Sequence, residues 1–275
     1  MNQSNAACLD PIPFDVPSMA GTGNAPALGV FGFDAHYGSR PVLRDVNCEF
    51  PQRRVTAIMG PSGCGKSTFI KALNRTLELT PGARVSRGGV LFRGEDIYLP
   101  AANPADIRKR IGIIHQRAVI FPMSVLENVL FGARFHKVVP KSGQEDYARI
   151  QLERVGLWSE VRDRLHASAA NLSGGQQQRL CLARTLANRP EVILMDEPCS
   201  ALDPAATRRI EELIAELERE FTIVIVTHNM SQARRVSRQA LFFYEGRLVE
   251  SGPTDQLFEN PCEPLTREFV TGKIG

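Results

Sequence analysis

Eight residues constrain this chain more than any others: Gly60-Pro61-Ser62-Gly63-Cys64-Gly65-Lys66-Ser67, which fits GxxxxGK[ST]. The short apolar run Val55 to Met59 precedes them and reads as a buried strand, and Ser67 to Leu77 reads as a helix. A strand, a glycine-rich turn and a helix form an anion cradle. Glycines let backbone N–H groups curl around phosphate oxygens, and the helix that follows points its positive end at the same charge. In such a loop Lys66 reaches the β- and γ-phosphates and the Ser67 hydroxyl binds Mg²⁺. A chance glycine-rich turn would lack both the flanking elements and the second motif described next.

That motif is Val192-Ile193-Leu194-Met195-Asp196-Glu197. An apolar run ending in two acids places both carboxylates at the carboxyl end of a buried strand, the edge where open α/β sheets bind ligands. Asp196 suits a Mg²⁺ ligand, and Glu197 is positioned to orient or deprotonate an attacking water. The amphipathic stretch Pro204 to Glu220 and a second apolar strand, Thr222 to Val226, complete a strand–helix–strand series. Such a series implies a right-handed crossover in a parallel sheet. Together the two motifs predict a nucleoside triphosphatase or a kinase on a parallel-sheet P-loop (RecA-like) α/β core.

The rest of the chain is expected to decorate that core. Gly29 to Phe50 alternates apolar and polar residues, as short antiparallel strands do, and Gly88 to Tyr98 has strand character. From about Met123 to Ala170 the pattern turns helical, with Ser124 and Glu127 in capping-box spacing. We therefore expect an N-terminal antiparallel β lobe and a helical lobe inserted at about 117–172. Ser173 to Ala187 reads as another helix, and the tail from Leu241 as a hairpin turning at Glu245-Gly246 and one or two short helices. Met1 to about Leu28 has no Lys or Arg and no apolar segment, and it carries Pro11, Pro13, Pro17 and Pro26. This is read as a disordered leader, with one ATP-binding domain over 29–275.

Bulk properties narrow the function. A net charge of +3 over 275 residues is too weak to signal nucleic acid by itself. No apolar run approaches the roughly 18 residues of a spanning helix, so any membrane role must come through a partner. The six cysteines form no CxxC pair, and free thiols are expected.

Leu172-Ser173-Gly174-Gly175-Gln176 narrows the class further. This segment resembles the signature of the ATP-binding-cassette ATPases, and other motifs match that family in order. Tyr37 is similar to its adenine-stacking aromatic, Gln116 to the glutamine that touches Mg²⁺ and water, Ser200-Ala201-Leu202-Asp203 to the loop that crosses the dimer interface, and His228 to the histidine that contacts the γ-phosphate. The resemblance implies ATP and Mg²⁺ as ligands, held by Tyr37, Gly60 to Thr68, Gln116, Asp196, Ser173 to Gln176 and Asp203, with Glu197, His228, Lys66 and Gln116 serving catalysis. It also implies a homodimer in which Ser173 of one copy meets the γ-phosphate held by the other.

Several strings look like the bacterial phosphate-import subunits of the family: residues 60–69, Leu73-Asn74-Arg75, Gln176 to Cys181, Asp196 to Ser200, Thr227-His228-Asn229-Met230 and the ending Thr271 to Gly275. At Arg117-Ala118-Val119-Ile120 the chain departs from the Lys-Pro-Asn-Pro usual there, in a loop expected to face a membrane partner. This resemblance implies two transmembrane permease subunits, an extracytoplasmic phosphate-binding protein and a peripheral location on the cytoplasmic face of the cell membrane. Phosphonate or polar amino-acid importers remain alternatives. So does a cassette ATPase acting on nucleic acid, although a single set of motifs and a short helical lobe argue against it. A small-molecule kinase would need neither Ser173 nor His228.

Overall fold

The computed structural model describes residues 25–274. The leader expected over 1–28 lies mostly outside them, but Ala27 and Leu28 are buried and Leu28 opens the first strand.

Strands β1 (Leu28–Tyr37) and β2 (Arg40–Phe50) form a hairpin, and β3 (Val55–Met59) runs into the glycine-rich turn and helix α1 (Lys66–Ala72). Strands β4 (Ala83–Phe92) and β5 (Glu95–Asp96), helix α2 (Pro104–Arg110) and strand β6 (Ile111–Ile114) follow. Helices α3 (Val125–Phe135), α4 (Gln144–Arg154), α5 (Trp158–Val161) and α6 (Gly174–Leu186) lead to β7 (Val192–Asp196). Next come α7 (Pro204–Leu217), β8 (Thr222–Val226), α8 (Met230–Val236), the hairpin β9 (Gln239–Tyr244) and β10 (Arg247–Pro253), and helices α9 (Thr254–Glu259) and α10 (Pro264–Val270).

The strands divide between two sheets. An antiparallel sheet has the order β2-β1-β4-β5, and a mixed sheet has the order β10-β9-β3-β8-β7-β6. From β9 to β6 every pairing is parallel, and β10 closes one edge antiparallel to β9. Parallel strands buried on both faces read as unbroken apolar runs, which is why Val55–Met59, Val192–Asp196 and Thr222–Val226 lack polar alternation. Their side chains divide strictly by parity. Ala57, Met59, Ile193, Met195, Ile223 and Ile225 pack with the helices α3, α6 and α7, while Ile58, Leu194, Val224 and Val226 pack with Phe69, Ile70 and the antiparallel sheet. The sheet is thus the middle layer of the molecule, and its carboxyl edge is left free for a site.

Four expectations about elements need correction. The strands over 28–50 are long rather than short. The segment 88–98 holds two strands, because Arg93 (φ 54°) and Gly94 (φ 83°) make a turn inside it. Helix α1 stops at Ala72 rather than at Leu77. Arg75 is left-handed there (φ 61°), and its guanidinium donates to the carbonyls of Ile97 (3.0 Å) and Ala102 (2.9 Å). Those long-range bonds outweigh the local helical preference. Asp203 caps α7 with Pro204 in its first turn, and the apolar stripe Ile210, Leu213, Ile214 and Leu217 buries one face, ending the helix at Leu217 rather than at Glu220.

Candidate functional site

Each expected residue of the ATP site, apart from the Ser173 segment and Asp203, follows or ends a strand of the two sheets at one edge. The loop from Gly60 to Gly65 leaves β3 with backbone that only glycine adopts easily. Gly60 has φ 146°, and a Cβ there would collide with the Phe243 carbonyl oxygen. Lys66 opens α1, is buried, and donates from Nζ to the carbonyl oxygens of Gly60 and Pro61, both at 2.7 Å. The ammonium therefore lies within the curl of the loop, where it braces the turn. Burial raises the pKa of the Cys64 thiol, against the pull of Lys66.

Strand β7 lies two places from β3, with β8 between them. This spacing brings the ends of α1 and β7 together: Ser67 Oγ donates to Asp196 Oδ1 at 3.1 Å. Burial raises the pKa of Asp196, the Ser67 bond opposes the rise, and the neighbouring Glu197 charge adds to it. A hydroxyl beside a desolvated carboxylate is an oxygen donor set that fits Mg²⁺.

Residues 196 and 197 of a regular strand would face opposite sides of the sheet. Glu197 breaks the alternation by adopting a left-handed backbone (φ 49°), fixed by its N–H bond to Val226 O at 2.9 Å. Non-glycine residues hold such conformations at a cost of about 1 kcal/mol or more. In return the carboxylate meets the ends of both neighbouring strands. Gln116, beyond β6, donates from Nε2 to Glu197 Oε2 at 3.1 Å, and His228, beyond β8, places Nδ1 3.1 Å from the same oxygen. Among the described residues, no hydrogen bond reaches Glu197 Oε1. Glu197 and His228 border a cavity of about 650 Å³. Tyr37 is half-buried, with its hydroxyl 3.5 Å from Thr68 Oγ1, so the aromatic expected to stack on a base lies against α1.

The Ser173 segment stands apart. Ser173 caps α6 in a full capping box with Gln176, and Asp203 caps α7 by accepting from the N–H groups of Ala205 (2.8 Å) and Ala206 (2.9 Å). The Ala206 N–H, above all, holds the Asp203 carboxyl below the usual range. Asp203 was expected as a nucleotide contact; within one copy its carboxylate serves as a helix cap. The two helix starts line one cleft of about 300 Å³, and they approach so closely that a Cβ on Gly175 would lie 2.9 Å from Ala206 Cβ. The Gly60 loop lines a different cleft. Ser67 and Asp196, and Gln116, Glu197 and His228, are thus brought together within one chain, whereas Ser173 to Gln176 and Asp203 are not brought to them.

A brace behind the Ser173 segment was not anticipated. Glu160 of α5 accepts from Gln176 Nε2 (2.8 Å), Arg179 Nη1 (2.8 Å) and, from α7, Arg209 Nη1 (3.3 Å). The Arg179 bond in particular keeps the Glu160 carboxyl below its usual range. Nothing local marks Glu160, since its partners come from helices distant in sequence.

Known proteins share this fold. The family profile described as ABC transporter matches residues 43–200, more than half of the chain. Among solved structures, CbiO1 from Clostridium perfringens, described as part of the ABC transporter complex CbiONQ, is 27% identical with a TM-score of 0.75, covering 90% of this chain and 99% of that one. A bacterial Atm1-family ABC exporter with ATP bound is 23% identical at the same TM-score of 0.75, and it shares the fold. That match covers 91% of this chain but 42% of the exporter's length. Among the described residues, no helix is long and apolar enough to cross a membrane. The chain belongs to the ABC transporter family and carries its ATP-binding domain.

Proposed function

We propose that this chain is the ATP-hydrolysing subunit of an importer of inorganic phosphate, working as a homodimer at the cytoplasmic face of the cell membrane. One observation carries the ATPase half of this reading. Ser67 and Asp196, with Gln116, Glu197 and His228, converge on one sheet edge, while the Ser173 segment faces a separate cleft. A single copy thus presents both halves of a nucleotide site, turned apart, and a second copy would complete each.

In this reading the loop from Gly60 to Gly65 and Lys66 bind the phosphates, with Thr68 at the start of α1 and Tyr37 beside the base. Ser67, Asp196 and Gln116 would hold Mg²⁺, which when bound supplies positive charge beside the β- and γ-phosphates. Glu197 takes a proton from water through Oε1, while Oε2 is kept in place by Gln116 and His228. Ser173, Gly174, Gly175 and Gln176 of the twin, with the loop ending at Asp203, meet the γ-phosphate. Hydrogen bonds to charged groups contribute about 1.5–3 kcal/mol each, so a few such bonds bias the closed pair by several kcal/mol. ADP lacks them, and the pair reopens.

Residues 117–172 would form the helical lobe that passes this motion to two transmembrane permease subunits. Val119, Phe131 and Phe135 are exposed there, as a docking face requires. CbiO1 is described as part of a transporter complex, which supports the partnership. The choice of phosphate rests on the motif strings, above all Thr227-His228-Asn229-Met230 and residues 60–69. An extracytoplasmic phosphate-binding protein would deliver the solute, which never binds this chain as cargo.

Uptake of phosphate and of phosphonate, compared in cells lacking the gene, tests the solute. Loss of phosphate uptake alone supports the proposal; loss of phosphonate uptake alone overturns the solute and leaves the ATPase. The shared site is tested with Ser173→Arg, which should bind ATP normally and stop turning over. A fully active Ser173→Arg protein would remove the twin from the mechanism.

A further inference from the structure

The loop leaving Gln116 is tied to a helix that the mechanism above does not use at that point. Arg184 of α6 donates from Nη2 to the Val119 carbonyl (2.7 Å) and from Nη1 to Asn128 Oδ1 (3.1 Å), and its guanidinium lies 4.2 Å over the Phe121 ring. Asn128, wholly buried on α3, completes the clasp. It accepts from Phe121 N–H (3.1 Å) and donates to the carbonyls of Phe121 (3.2 Å), Met123 (3.3 Å) and Ser124 (3.0 Å). Among the described residues, Arg184 has no carboxylate partner. A half-buried guanidinium bound only to neutral acceptors is costly unless its geometry is used. Burial indeed pulls its pKa down.

The helices that carry the clasp are themselves packed tightly. A Cβ on Gly132 of α3 would strike the Asn188 side chain just past the end of α6. Residues 119–124 are therefore joined to α3 and α6, whereas Gln116 reaches Glu197 at the sheet edge. The chain between them, from Gln116 to Ala118, is short enough to transmit a small shift. The fork of Arg184, with its ring beneath, fixes where that short tether begins.

We infer that Arg184 is a positioning residue for ATP hydrolysis: through the backbone of Val119 and Phe121 it sets how Gln116 meets Glu197, and so links the helix that begins at Ser173 to the catalytic carboxylate. The inference rests on the ATPase reading above, since it acts through two residues of that site. Lysine cannot replace Arg184, because a point charge cannot span two acceptors while stacking on a ring.

The test is a double-mutant cycle on steady-state ATP hydrolysis by the full chain, with Arg184→Lys, Gln116→Ala and the pair combined. Arg184→Lys should lower kcat by about tenfold with KM within about twofold, and the double variant should be no slower than Gln116→Ala alone. A residue that only supports the fold would give effects that multiply, or a KM rising with the loss of kcat; either result overturns the inference. Phe121→Leu removes the ring and leaves the cation, so it serves as a milder variant should Arg184→Lys fold poorly. It should lower kcat in the same direction and have no further effect once Gln116 is Ala; an added loss in that background also overturns the inference. If the unmodified chain hydrolyses no ATP, the ATPase reading falls and this one with it. If it hydrolyses ATP and the cycle is additive, only the role of Arg184 falls.

Discussion

Glu197→Gln separates binding from chemistry, and the site geometry sets the size of the effect. Gln116 Nε2 and His228 Nδ1 both lie 3.1 Å from Oε2, whereas Oε1 accepts nothing among the described residues. A glutamine can keep its oxygen at the Oε2 position, retain both contacts and place its NH₂ where Oε1 stood. The fold and the phosphate loop are then untouched, and structural losses stay at or below about 1 kcal/mol. What disappears is the atom that accepts the proton. General bases contribute about 10²–10⁴-fold, or roughly 3–5 kcal/mol of barrier. Turnover measured as phosphate release should fall by that factor while ATP affinity stays within about threefold. Sedimentation in Mg-ATP should then show an accumulated dimer, because the contacts that close the pair are no longer broken by hydrolysis. Turnover within about threefold of the parent would refute the assignment of the base. So would a matching loss of ATP affinity, which would make Glu197 a binding residue.

Lys66→Ala should act at the opposite step, weakening ATP binding by at least about tenfold in calorimetry, since it removes the charge and also the bonds to Gly60 and Pro61 that brace the loop. Asp196→Asn should raise the melting temperature of the metal-free protein near neutral pH and abolish Mg-ATP turnover. The sign follows from burial. The folded-state pKa of Asp196 is raised, so ionisation opposes folding as pH climbs through it, and a permanently neutral amide escapes that penalty. The gap in melting temperature should narrow as pH falls and close below about pH 4, as the carboxyl becomes neutral in the unfolded as well as the folded state. Thiol mapping at neutral pH should label exposed Cys262 well before Cys64, Cys181 and Cys199, because burial raises those three thiols, Cys199 to about 11.

Much of the candidate site's layout was legible because its residues sit next to the elements that place them. Gly60 to Ser67, Asp196-Glu197 and His228 each follow an apolar run, and parallel runs end at a common edge. The capping boxes at Ser124 and Ser173 could likewise be read from three-residue spacings. Contacts between distant segments could not. Arg75 ends α1 through carbonyls at 97 and 102, Glu160 braces α6 and α7 together, and Arg184 clasps a loop some 60 residues earlier. Asp203-Pro204 is a helix-start signal in its own right, and the same residues resemble a dimer-interface loop, so the string alone does not separate capping from contact.

The cap at Ser173 carries a consequence for selection in the laboratory. Its hydroxyl sits 3.4 Å from the Gln176 N–H, at the loose end of hydrogen bonding, so the oxygen can change partner at little loss. An aspartate would cap the same helix at least as well and add a favourable charge to its dipole. In the proposed mechanism it would also set a fixed negative charge against the phosphate held by the twin. A library selected for heat resistance alone would drift toward Ser173→Asp and grow sturdier as it fell silent. In the proposed mechanism serine serves better, because a weaker latch can be opened.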